Sequence, residues 1–245
     1  MSTAIIVQAR MGSTRLPGKI MKKVLGKPLL EYQLERLLRV KQADQVIIAT
    51  TDNGEEQPIV DLCQRLGVPY FRGPEHDVLA RYYSAASQFG ADVVVRITSD
   101  CPLIDPAVVD KVIGFYLAHQ AEYDYVSNTF SNRTYPRGMD TEVFSYQALK
   151  EAYEEATDEA EREHVTIFIK RHPERYRIKT LPYEKDYSHY RWTVDTPEDF
   201  ALIEKIITAL YPVNPHFTLE DCLKLIEENP EWTKINAHIK QKPVK

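Results

Sequence analysis

The chain has 245 residues, 43% of them hydrophobic and 27% charged, which is enough apolar material for one large α/β domain and too much for wholesale disorder. Its net charge of −5 argues against a dedicated nucleic-acid binder, which carries a basic face, and no apolar run approaches bilayer-spanning length. The three cysteines, Cys63, Cys101 and Cys222, form no C-x-x-C spacing, so a reduced, cytoplasmic compartment is expected.

Ala4-Ile5-Ile6-Val7 is β-branched and too short for a helix, which predicts a buried strand. Leu29, Leu30, Leu34, Leu37 and Leu38 recur at helical spacing. Gln45–Thr50 predicts a second strand, ended by the turn-rich Thr51-Asp52-Asn53-Gly54. A helix over Ile59–Leu66 closed by Gly67, a short strand at Val68–Phe71 and a helix over Val78–Phe89 closed by Gly90 follow. Asp92–Ile97 is the strongest strand, and Asp105 before Pro106 reads as the cap of the next helix.

From Tyr123 the pattern changes. Residues 123–145 are dense in Tyr, Asn, Ser, Arg and Gly, with one strand at Met139–Phe144. Helices near Gln147–Ala156 and Glu161–Lys170, a strand at Arg177–Leu181 and helices over Glu198–Leu210 and Leu219–Glu227 complete the chain, and the polar tail from Asn236 is expected to fray. Strands separated by helices imply a mainly parallel sheet covered on both faces, hence a single α/β domain. Such sheets bind ligands outside the carboxyl ends of their strands, so the loops after Ala9, Thr50 and Ile97 are the ones to inspect.

The first of these loops, Ala9-Arg10-Met11-Gly12-Ser13-Thr14-Arg15-Leu16-Pro17-Gly18-Lys19, carries three fixed cations and two glycines. Glycine lets backbone approach a phosphate, and guanidinium and ammonium groups neutralise its charge, most of all when pyrophosphate leaves a triphosphate. The loop is not a Walker motif, because five residues separate Gly12 from Gly18-Lys19 and Ile20 follows the lysine. The dinucleotide pattern G-x-G-x-x-G is absent, which disfavours a dehydrogenase.

The third loop reads Thr98-Ser99-Asp100-Cys101-Pro102-Leu103-Ile104-Asp105-Pro106. A carboxylate at the end of a buried strand is costly unless it meets a cation, and magnesium bridging triphosphate oxygens suits Asp100. In Arg191-Trp192-Thr193-Val194-Asp195-Thr196-Pro197-Glu198-Asp199, helix capping accounts for Thr196 and Asp199 but leaves Asp195 free to point into a cleft.

Together the A-R-M-G-S-T-R-L-P-G-K loop, the S-D-C-P-L-I-D-P segment and V-D-T-P-E-D resemble the cytidylyltransferase family that activates 3-deoxy-manno-octulosonate and acylneuraminate sugars, and within it the subgroup around spore coat polysaccharide biosynthesis protein F. The resemblance runs from Ala4 to about Leu202 and implies a nucleotide-diphospho-sugar transferase fold, a mixed and mainly parallel sheet flanked by helices with a small arm. It implies that Arg10, Arg15 and Lys19 hold the triphosphate, that CTP is the nucleotide, and that backbone groups near Ala9 and Gly12 read its pyrimidine. It further implies that Asp100 and Asp195 bind Mg²⁺, and that the product is a nucleotide sugar for polysaccharide biosynthesis. The chain departs from the octulosonate enzymes at Cys101, where they carry a glutamate, so the identity of the sugar is not carried over.

Asp77 and Arg81 are candidates for contact with nucleotide or sugar, with Asp77 equally able to cap its own helix. Asn128, Arg137 and Glu142 in the 123–145 segment offer hydrogen bonds and charge for a sugar or sugar acid, and the same segment is a candidate dimer arm, which makes a homodimer the expected assembly. His164 in Arg162-Glu163-His164 is expected to be structural. The expected reaction is attack of a sugar hydroxyl on the α-phosphorus, with neither nucleic acid nor membrane as partner. The alternatives are a metal-dependent glycosyltransferase and a non-catalytic coat-assembly protein of the same fold.

Overall fold

The apolar runs of the first hundred residues form the centre of one seven-stranded sheet in the computed structural model, which describes residues 1–241. In chain order the elements are β1 (Thr3–Gln8), β2 (Lys23–Val24), β3 (Lys27–Pro28), α1 (Leu29–Leu37), β4 (Gln45–Thr51), α2 (Gln57–Leu66), β5 (Tyr70–Gly73), α3 (Val78–Gln88) and β6 (Val93–Thr98). They continue with α4 (Pro106–His119), β7 (Tyr125–Ser127), β8 (Glu142–Ser145), α5 (Tyr146–Glu155), α6 (Glu159–Glu163), α7 (Ile167–Arg171), β9 (Ile178–Thr180), α8 (Pro197–Leu210) and α9 (Leu219–Glu228).

The sheet order is β5-β4-β1-β6-β8-β7-β9. Strands β5, β4, β1 and β6 are parallel, β8 runs antiparallel to both β6 and β7, and β9 is parallel to β7. The chain moves outward from β1 to β4 and β5, then returns to the other side of β1 as β6. The order therefore reverses between β1 and β6, and a crevice opens at their carboxyl ends.

Alternation along each strand explains the two covered faces. Ile5, Val7, Ile48, Val95 and Ile97 pack on α1, α2 and α4, while Ala4, Ile6, Ile47, Ala49 and Val94 pack on α3, α5 and α7. A third apolar cluster joins α8 and α9 to Leu16, Leu103, Tyr135, Met139 and the fully buried Trp192. Burying each such side chain stabilises the fold by roughly 1.5–3 kcal/mol. Those five residues lie in segments outside the strands and helices, so this cluster fixes the loops that bear the motifs.

Four expectations need correction. The strand expected at Val68–Phe71 begins two residues later, because Val68 N–H still caps α2 on the Cys63 carbonyl. The 123–145 segment, expected to hold one strand at Met139–Phe144, holds two: that strand starts only at Glu142, and the three-residue β7 is too short to carry a periodic signal. The helix expected over Glu161–Lys170 breaks into α6 and α7 at Val165, which is left-handed (φ 51°), and the break turns Thr166 and Lys170 onto Glu142. The tail does not fray at Asn236, which is buried and hydrogen-bonded, and Gln241 accepts from Arg191; the final lysines of that tail lie outside the described residues. Among the described residues no helix is long and apolar enough to cross a membrane.

Candidate active site

The loop after β1 is folded back on itself. Gly18 N–H donates to the Met11 carbonyl (3.1 Å), Met11 N–H donates to Glu56 (2.9 Å), and Leu16 is buried in the third apolar cluster. Gly18 is left-handed (φ 63°), a conformation glycine adopts without steric cost, and it starts the short 3₁₀ turn that presents Lys19. Across the crevice the loop after β6 is tied to the segment before α8, since Val194 N–H (2.8 Å) and Thr193 Oγ1 (3.3 Å) both donate to the Asp100 carbonyl. These bonds bring Asp100 and Asp195 to one place although 94 positions separate them in the chain.

Lys19 stands between the two carboxylates. Its Nζ lies 2.7 Å from Asp195 Oδ1 and 3.6 Å from Asp100 Oδ2. Asp195 Oδ2 also receives Arg15 at 3.0 Å and Arg191 at 2.8 Å, and Asp100 Oδ1 accepts the Thr98 hydroxyl at 2.6 Å. Burial disfavours the charged form of Asp195, yet Lys19, then Arg15 and Arg191, outweigh it and hold the carboxyl below its ordinary range. Burial works against the Lys19 ammonium too, and Asp100 and Asp195 more than offset it, so the ammonium is held above the usual lysine value. The expectation of a free Asp195 is corrected: three cations engage it. Arg15 and Lys19, at 29% and 16% side-chain exposure, line the crevice rather than the open surface. Arg10 lies further out, half-exposed and 3.9 Å from Glu75, and Gly12 is exposed, with room for a Cβ that would come no nearer than 3.9 Å to the same Glu75. Ala9 is buried, with its N–H on the Ala49 carbonyl. Two carboxylates sharing one cation are a hard oxygen pair, and no group of three or more His, Cys, Asp or Glu able to hold a metal occurs among the described residues.

Beside this cluster, across β6 and β8, lies a cavity of about 210 Å³ lined by Arg96, Thr98, Thr129, Phe130, Arg133, Asp140, Glu142 and Lys170. Thr98 belongs to both places, lining the cavity while donating to Asp100. Glu142 is buried and accepts from Arg96 (2.5 Å), Lys170 (2.5 Å), Tyr125 (2.5 Å) and Thr166 (2.9 Å). Burial raises its cost of charging, but Lys170 and Arg96 overcome that and push its carboxyl far below the usual range. Glu142 is thus committed to holding Arg96 and Lys170 in the wall. Arg133 pairs with Asp140 (2.5 Å), and Arg137, on the same segment, makes no ion pair among the described residues. Gly138 allows this placement: its φ is 107° and a Cβ there would lie 2.8 Å from the Trp192 carbonyl oxygen, so only glycine lets this segment lie alongside Arg191 and Trp192.

The remaining predicted residues fall elsewhere. Asp77 caps α3 on Ala80 N–H (2.9 Å) and pairs with Arg162. Asn128 is fully buried and bridges its own segment, donating to the Met139 carbonyl (2.7 Å) and accepting Thr141 N–H (2.8 Å). Arg81 is buried and donates to the Pro74 carbonyl (3.0 Å), steadying the turn that carries Glu75. Sequence reasoning missed Arg96 and Lys170 as cavity residues. The available signal for Arg96 was a cation inside the otherwise apolar run Val93-Val94-Val95-Arg96-Ile97.

The chain is 36% identical over 239 residues to an uncharacterized protein of Methanocaldococcus jannaschii, covering 97% of this chain and 95% of that one. It is 31% identical to the spore coat polysaccharide biosynthesis protein SpsF of Bacillus subtilis, covering 92% and 94%. Its structure matches a cytidylyltransferase from Leptospira borgpetersenii with a TM-score of 0.91 at 33% identity, covering 99% of this chain and 100% of that one. Residues 4–229, which span the triphosphate loop, the Asp100 loop and the Asp195 turn, match the pattern of one family. The chain is a nucleotidyltransferase and belongs to the cytidylyltransferase family.

Proposed function

We propose that this protein transfers the cytidylyl group of CTP to a hydroxyl of a sugar or sugar acid. A bond forms between the acceptor oxygen and the α-phosphorus, the bond to the β-phosphate oxygen breaks, the hydroxyl proton is released, and pyrophosphate leaves. The observation that carries this reading is the convergence of Arg15, Lys19, Asp100 and Asp195 at the point where the strand order reverses, with the cation-lined cavity adjoining through Thr98. Arg10, Arg15 and Lys19 neutralise the departing pyrophosphate, and the pairing with Asp195 holds Arg15 and Lys19 in place beforehand. The cavity takes the acceptor, and its three cations against two carboxylates favour one that carries an acid group.

A magnesium ion fits this arrangement, because Asp100 and Asp195 supply hard oxygen donors that face one cation position. Asp100 and Asp195 would hold it. When bound, the ion neutralises charge on the triphosphate oxygens.

The test is pyrophosphate release from CTP, ATP, GTP and UTP against a panel of sugars and sugar acids. Release that depends on one acceptor and is fastest with CTP is expected; preference for ATP or GTP, or no release with any acceptor, would overturn the proposal. Asp100→Asn and Asp195→Asn each abolish magnesium-dependent turnover, and the double variant is no slower than the slower single one, because both act on one ion. Multiplicative losses would separate the two carboxylates.

A further inference from the structure

The segment after α9 lies largely beyond residues 4–229 and carries none of the motifs, yet it reaches the active site. The Arg191 guanidinium is held on three sides. Nε donates to Asp199 (2.9 Å), Nη2 donates to Asp195 (2.8 Å) and to Asp199 (3.1 Å), and Nη1 donates to Gln241 Oε1 (2.6 Å). Asn236, itself buried, uses one amide nitrogen to donate both to the Arg191 carbonyl (2.8 Å) and to Asp199 Oδ1 (2.9 Å). Asp199 is inaccessible to solvent and also accepts the N–H groups of Asp195 (3.0 Å) and Thr196 (3.1 Å).

We infer that Asn236 and Gln241 are positioning residues that fix Arg191 and, through it, the orientation of Asp195. The guanidinium is planar, so a bond at Nη1 sets the angle at which Nη2 meets Asp195. Arg15 and Lys19 approach Asp195 from the crevice and are the groups a triphosphate recruits. Arg191 has no such second duty, because Asp199 and Gln241 hold it from behind, and it keeps Asp195 aimed when the other two cations turn to phosphate. The chemistry required at the two positions is opposite. Position 241 must accept a hydrogen bond, so Gln241→Glu preserves the device and Gln241→Ala removes it. Position 236 must donate, so Asn236→Asp places a carboxylate against buried Asp199.

The Gln241 series decides the matter, because that side chain is at the surface and its loss leaves the core intact. Two measurements on the full chain are needed. The first, without ligand, follows the Arg191 Nη proton resonances at low temperature. Resolved signals are expected in the wild type and in Gln241→Glu, and averaged signals in Gln241→Ala. The second, resting on the proposed function, measures Mn²⁺ affinity at saturating CTP. Loss of a partner that orients a metal ligand typically costs 10–100-fold, so Gln241→Ala weakens Mn²⁺ uptake about tenfold while Gln241→Glu stays within about twofold. Melting temperatures of both variants stay close to wild type. Identical Arg191 signals in Ala and wild type, or equal Mn²⁺ affinities across the series, overturn the inference. A wild type that takes up no Mn²⁺ with CTP instead counts against the proposed function, and the ligand-free spectra still decide the positioning role.

Discussion

Around Lys19 the charges are shared between carboxylates that remain partly open to the crevice, whereas around Glu142 they close on one another. Asp100 is 22% exposed and Asp195 12%, against 7% for Glu142. The first cluster can exchange partners with an incoming anion and cation, because Lys19 is shared between two acids, 2.7 Å from Asp195 but 3.6 Å from Asp100, and both acids keep an exposed side. Glu142 itself cannot, because both of its oxygens already accept from donors supplied by the fold. A site that binds and releases charge is built from incomplete pairs, and the wall that shapes it is built from complete ones.

The largest expected effect breaks the complete cluster. Glu142→Ala strands Arg96 and Lys170 and should lower unfolding stability by about 3–5 kcal/mol in urea titrations, since removing one member leaves uncompensated buried charge. Its pH dependence has a definite sign. The folded carboxyl is depressed from the ordinary 4.5, so its stabilisation is present above that pH and is lost as pH falls below it. Wild type therefore loses stability on acidification faster than Glu142→Ala does, and parallel curves would refute this assignment.

Breaking the incomplete cluster acts on turnover instead. Lys19→Ala should slow pyrophosphate release by roughly 10²–10³-fold, the usual consequence of removing one preorganised electrostatic group. A variant within about threefold of wild type would remove Lys19 from the mechanism. The smallest effect sharpens the boundary between the two kinds of site. Asp77→Ala should cost about 1 kcal/mol of stability through the lost helix cap and leave CTP affinity unchanged. Weakened CTP binding at unchanged melting temperature would instead place Asp77 against the ligand.

These outcomes bear on how far the residues alone could lead. The parallel half of the sheet was legible because its strands are short apolar runs set between amphipathic helices, and the strand ends named the loops to search. Asp105 as a cap, and Thr196 with Asp199 as a capping box, follow from local backbone chemistry and appear in the structure. The Arg15–Lys19 cluster was visible because its cations share one loop.

The cavity and the back of the site were not legible. Arg96, Arg133, Glu142 and Lys170 come from four different segments, and only the antiparallel insertion of β8 between β6 and β7 brings them together. Asp77 and Asn128 look the same in sequence whether they serve a ligand or the backbone, and only the positions of Arg162, Met139 and Thr141 decide between those roles. Asn236 and Gln241 lie in a polar tail with no periodicity, and their part depends on where Arg191 lies 45 and 50 positions earlier. Short-range chemistry, in strands, caps and a single loop, is written in neighbouring residues. Which distant charges become partners, and whether a carboxylate is left free or saturated, is set by the packing that draws those segments out of water into one place.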